Sequence, residues 1–172
     1  EKYRRKSETG AFKPDPYDPG AIGKDEMNNS TTLQDQLIAV AREAGAVILG
    51  IYSRDFDAAQ KADRSPVTEA DTAAEALIVK ALAQLAPDIP VVAEEQCASN
   101  GVPSTAPDRF FLVDPLDGTK EFIAKNGEFT VNIALIEHGR PVLGVVYLPA
   151  FDTCYAGANG TARRLVGDDH PE

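Results

Sequence analysis

Three acidic stretches hold the residues best suited to chemistry: Asp63 to Asp71 in KADRSPVTEAD, Glu94-Glu95 in VVAEEQ, and Asp114 to Thr119 in DPLDGT. Two of them close an apolar run, VVA before Glu94 and FFLV before Asp114. A carboxylate at a strand end opens onto a cleft while the sheet holds its backbone, which is what a metal ligand needs. Within DPLDGT, Pro115 restrains the chain, and a bend there can aim both carboxylates and the Leu116 carbonyl at one point. Gly118 permits a tight turn and close approach to a ligand. Thr119 opens a short helical segment, TKEFIAKN, whose free amides can donate to a phosphate oxygen. Hard oxygen donors from separate segments, with neither His nor Cys among them, favour Mg²⁺ over zinc. The competing reading is a surface Asx-type turn, because Asp, Pro and Gly are turn residues. The two upstream acidic stretches argue against it.

These groups must be positioned by elements that the pattern also predicts. Leu33, Leu37, Val40, Ala41, Ala44, Val47, Ile48 and Ile51 recur at helical steps from Thr32 onward. A second helix is expected from Glu69 to Leu85, with Thr68 and Asp71 as a capping box and Pro87 as its stop. Short apolar runs at 91–93 and 110–113 read as buried strands. Residues 130–136 and 141–148 form one expected hairpin, turning at His138-Gly139-Arg140. Residues 153–158 and 161–166 form another around Asn159-Gly160, a pair suited to a type I′ turn. Two helices followed by a largely antiparallel sheet give an α+β fold, a layered α/β sandwich. Residues 1–26 are charged, broken by Pro and Gly, and without period. They predict a disordered or non-native arm over about 1–30, with Met27 as a candidate start, then a domain over 31–166 and a tail at 167–172.

The bulk properties narrow the class. The chain has 172 residues, 43% hydrophobic and 26% charged, an ordinary globular composition. A net charge of −10 argues against nucleic acid as a partner. A phosphate substrate would need a cation between it and this acidic surface. No apolar run approaches the ~20 residues of a membrane span. The expectation is a cytoplasmic protein, or at most one peripheral to the inner membrane. Cys97 and Cys154 match neither a zinc pattern nor a disulfide framework and are expected to be free thiols.

Taken together, SPVTEAD at 65–71, the Glu94-Glu95 pair, DPLDGTKEFI at 114–123, NGEFTVNIALI at 126–136 and GRPVLGVVYLP at 139–149 make the chain recognisable. It resembles the inositol-monophosphatase superfamily of Mg²⁺-dependent, lithium-inhibited phosphatases over roughly Leu33 to Ala158. The finer resemblance is to the 3'(2'),5'-bisphosphate nucleotidase branch (the CysQ type). The resemblance implies a small nucleotide bisphosphate as substrate, two or more Mg²⁺ ions, and Glu94, Asp114, the Leu116 carbonyl and Asp117 as metal ligands. It further implies that Glu94, Leu116, Asp117, Gly118 and Thr119 face the substrate. Asp71 and Thr119 are similar to the residues that polarise the attacking water, and Asp63 to a further acid of this branch. Each keeps a plainer alternative. Asp71 could serve only as a helix N-terminal acid, Asp63 as a solvated loop charge, and Glu95 as a supporting or exposed group. Lys120 and Lys125 either meet substrate phosphate or line a solvated face, and His138 is expected at the surface.

The resemblance also implies a second α/β portion with a Trp-Asp segment whose aspartate completes the metal cluster. This sequence contains no tryptophan, so the chain is expected to be C-terminally truncated. Asp168 and Asp169 lie in a polar tail with no apolar run to place them. An open sheet face and a tendency to associate would follow, and oligomeric state is left undetermined.

Overall fold

Apolar residues returning every three or four positions make helix α1 (Lys24–Tyr52), with Leu37, Ala41, Ala44, Ile48 and Ile51 all buried. The structure, a computed structural model, describes residues 24–60, 66–105 and 107–167. Asp63, Asp168, Asp169 and the first 23 residues lie outside the described residues. Helix α1 begins at Lys24, ahead of the boundary expected near residue 30. No Gly or Pro interrupts KDEMNNSTT, and Gly23 is the last such breaker before it. Backbone hydrogen bonding therefore runs past the end of the apolar stripe.

A small hairpin follows, β1 (Ala58–Gln60) against β2 (Pro66–Thr68), which the periodicity did not signal. Helix α2 (Glu69–Leu85) starts where expected. The Thr68 hydroxyl accepts from the Ala70 N–H at 3.1 Å, while the Asp71 carboxylate accepts from the Thr68 N–H at 2.7 Å. Strand β3 (Val91–Ala93) leads into α3 (Glu94–Asn100), a short helix absent from the sequence expectation. Next come β4 (Arg109–Asp117), α4 (Thr119–Ile123), β5 (Thr130–Glu137) and β6 (Arg140–Leu148). A 3₁₀ turn at Pro149–Phe151 precedes β7 (Thr153–Ala158) and β8 (Thr161–Val166).

Strands β3 to β8 form one sheet in sequential order, antiparallel throughout except for the parallel β3–β4 pair. Both expected turns occur: His138 and Gly139, then Asn159 and Gly160, hold positive φ angles between 49° and 74°. Side chains alternate across the sheet. Phe111, Val113, Val131, Ile133, Leu143 and Val145 are buried on the face covered by α1 and α2. Close approach of α1 needs Gly45, where an added Cβ would lie 2.4 Å from the Tyr147 ring. The opposite face keeps Leu112, Val146 and Tyr155 at 46%, 40% and 47% exposure. A groove of about 700 Å³ runs over this side, lined by Val142, Gly144, Val146, Tyr155, Gly157 and Arg164 among others. Among the described residues, no helix is long and apolar enough to cross a membrane.

Candidate metal and phosphate site

Strand register brings the first two acids together. Ala93 pairs with Val113 across the parallel β3–β4 ladder, so Glu94, just past β3, comes beside Asp114 of β4. Their side chains share a hydrogen bond, and Asp117 is close enough to act on Asp114 through its charge. Burial, then Glu94, then Asp117 push the Asp114 carboxyl up to about 7, while the Leu116 N–H pulls the other way. That N–H donates to Asp114 Oδ1 at 3.2 Å. Three carboxylates crowded at one corner create a negative potential that a divalent cation would relieve.

The bend expected at Pro115 is a register shift rather than a break. Strand β4 continues to Asp117 with an irregularity between Asp114 and Asp117. Both residues thereby pair with β5 and still present oxygens at the strand end. Asn132 lies opposite Asp114, and its Nδ2 reaches Asp117 Oδ2 at 3.5 Å.

Asp71 is joined to this corner by Thr119. The Thr119 hydroxyl lies 3.1 Å from Asp71 Oδ1 and 3.3 Å from the Leu116 carbonyl oxygen. Asp71 itself is 1% exposed, and its other oxygen accepts from both the N–H and the hydroxyl of Thr68 at 2.7 Å. One carboxylate thus caps α2 and contacts α4. Gly118, at φ 93°, is required by the protein itself as well as suited to a ligand. An added Cβ would sit 2.8 Å from the Glu128 carbonyl oxygen. Beneath α4, Phe122 and Phe129 pack with Tyr52 at ring separations of 5.0–5.2 Å and fix the turn to α1.

The remaining residues lie away from this corner or support it from behind. Lys125 is exposed. Its ammonium donates to the carbonyl oxygens of Tyr52 and Arg54 and lies 4.5 Å from the Tyr52 and Phe56 ring centroids, tying down the end of α1. Lys120 is exposed, and His138 sits exposed in its turn. Glu95 is buried. Cys97 and Cys154 are free thiols. Asp63 lies outside the described residues. Two residues with a place at this corner went unread: Asn132, a polar side chain in the apolar run TVNIALI, and Glu75, an acid inside the apolar stripe of α2. For Glu75 the available signal was an acid on a buried helix face, and for Asn132 an amide interrupting an apolar run.

Among the described residues, no three His, Cys, Asp or Glu side chains are gathered closely enough to hold an ion as they stand. The donor set still suits a hard cation. Glu94, Asp114, Asp117 and the Leu116 carbonyl offer oxygen only, and their mutual repulsion is what a cation would neutralise.

Comparison with known proteins gives a consistent result. The sequence profile of the inositol monophosphatase family matches residues 29–170. A 3'(2'),5'-bisphosphate nucleotidase CysQ from Shigella flexneri is 53% identical over 130 residues, covering 74% of this chain and 52% of that protein. The crystal structure of CysQ from Bacteroides thetaiotaomicron is similar at 38% identity and a TM-score of 0.61, over 84% of this chain and 53% of that one. The extragenic suppressor protein suhB from Bartonella henselae is similar at 27% identity and a TM-score of 0.67, over 80% of this chain and 52% of that one. The chain spans about half the length of the curated relatives it matches.

Proposed function

The chain belongs to the inositol monophosphatase family, and we propose that it supplies the metal-binding half of a Mg²⁺-dependent phosphatase. The substrate is adenosine 3',5'-bisphosphate, and water hydrolyses its 3'-phosphate to give AMP and phosphate. A parallel action on 3'-phosphoadenylyl sulfate would give adenylyl sulfate and place the protein in sulfate assimilation. The nucleotide reading is supported by the 53% identity to the Shigella nucleotidase.

One observation carries the chemistry: Asp71, Thr119 and the Glu94/Asp114/Asp117 group, drawn from separate segments, meet at one end of the sheet. Glu94, Asp114, Asp117 and the Leu116 carbonyl would hold Mg²⁺. When bound, it supplies neutralisation of phosphate charge and acidifies water, in the manner of two-metal phosphatases. The protein's own part is positional. The Thr119 hydroxyl commits its proton toward Asp71, leaving its oxygen free to accept a hydrogen bond from the attacking water. The Gly118–Thr119 backbone would orient a phosphate oxygen, and attack in line needs no covalent intermediate.

The rival reading is an inositol-phosphate or sugar-phosphate phosphatase on the same scaffold, favoured by similarity to the inositol monophosphatase from Anabaena at a TM-score of 0.63 and 30% identity. A third is a metal-binding module without turnover. The test is phosphate release from adenosine 3',5'-bisphosphate and from inositol 1-phosphate with Mg²⁺, with and without Li⁺. It is run on this chain and on a fusion to the C-terminal half of the Shigella relative. Lithium-sensitive release from the nucleotide is expected. Release from inositol 1-phosphate alone would favour the rival, and Mg²⁺ binding without release from either would favour the inert module.

A further inference from the structure

We propose that Glu75 is a positioning residue for this site: its buried carboxylate caps α3 and so sets the direction in which Glu94 meets Asp114. The inference rests on the metal-site reading above. Glu75 belongs to the inward stripe of α2, among Ala70, Ala74, Ile78 and Leu82, and is 5% exposed. Its Oε2 accepts from the Glu95 N–H at 2.6 Å, and its Oε1 accepts from the Gln96 N–H at 3.0 Å.

Helix α3 has no cap of its own. Its N-cap residue is Ala93, which offers no side-chain acceptor, and the helix is only 7 residues long. So short a helix does not hold itself together in water. Two amides of its first turn would be left without acceptors. A carboxylate from α2, 20 residues earlier in the chain, satisfies both with charge-assisted bonds. Glu94 is the first residue of that turn. Strand pairing places the Glu94 backbone beside Asp114, but the chain direction after Ala93 is set by α3. Glu75 therefore determines whether the Glu94 carboxylate turns toward Asp114 or away from it.

The experiment uses the 172-residue chain and two variants, Glu75→Gln and Glu75→Leu. Leucine suits the apolar stripe and approximates the displaced volume, so a folded protein is expected. Glutamine retains one acceptor and keeps the test alive if the leucine variant fails to fold. Mn²⁺ affinity is read from the paramagnetic resonance of the free ion, and amide exchange at Glu95 and Gln96 by NMR. Both amides should lose protection, and Mn²⁺ affinity of the folded chain should fall about 10-fold in Glu75→Gln and up to ~100-fold in Glu75→Leu. A purely structural role would lower melting temperature without moving Mn²⁺ affinity. Folded variants that bind Mn²⁺ within about twofold of the parent would overturn the inference alone. A parent chain that binds no Mn²⁺ at millimolar concentration would overturn the metal-site reading, and this inference with it.

Discussion

The two faces of the six-stranded sheet come from the same strands and do opposite work. One face is filled by volume: Phe111, Val113, Ile133 and Val145 are at most 2% exposed under α1 and α2. By alternation, the other face carries Leu112 and then Asp114 on β4, and Asn132 beside it on β5. Along this row lie Val146 and Tyr155, exposed and undemanding, but at its β4 end are carboxylates close enough to disturb one another. Packing tolerates no lost methylene on the first face, whereas charge tolerates no lost oxygen at the corner of the second.

Substitutions can break that contrast. The largest effect is expected from Asp114→Asn or Asp117→Asn, each lowering Mg²⁺ affinity on the order of 100-fold or more while circular dichroism and melting stay close to the parent. Calorimetric titration checks it, and affinity retained within threefold would remove that residue from the ligand set. Next in size, Ile133→Ala on the packed face should cost ~2–5 kcal/mol of stability by chemical denaturation. Val146→Ala on the neighbouring strand of the open face should cost under about 0.5 kcal/mol. Equal losses at the two positions would mean that the open face is covered in solution. A loss between these, about 1 kcal/mol, is expected from Thr68→Ala, which removes the α2 cap and one support of Asp71.

The subtlest test is pH. Asp114 binds its proton more tightly in the folded chain, at about 7 against an ordinary 3.8. Between those values the folded state carries more protons than the unfolded one, so stability of the metal-free chain falls as pH rises from about 4 to about 7. Melting curves across that window should show the decline, and saturating Mg²⁺ should reverse it, because the cation favours the ionised carboxyl. A melting temperature that rises with pH in metal-free buffer would contradict the crowding of Asp114 by Glu94 and Asp117.

Much of this was readable from local chemistry. Thr68 with Asp71, the two positive-φ turns, and every strand from β3 onward follow from short-range spacing. The short helix α3 was missed because EEQCASN has neither an apolar stripe nor a capping side chain of its own. The partners of Lys125, the carbonyls of Tyr52 and Arg54, were not legible because they lie 73 and 71 residues away in the chain.

By itself, then, the amino-acid order determined which residues end strands, which begin helices, and that the oxygens at those ends suit a hard cation. Those properties depend on neighbours within a few positions along the backbone. Only the tertiary structure decided that Glu94 lies beside Asp114, that Thr119 bridges to Asp71, and that Glu75 holds the start of α3. Each of these contacts joins segments separated by 20 to 48 residues, and they exist because sheet register and helix packing bring those segments together.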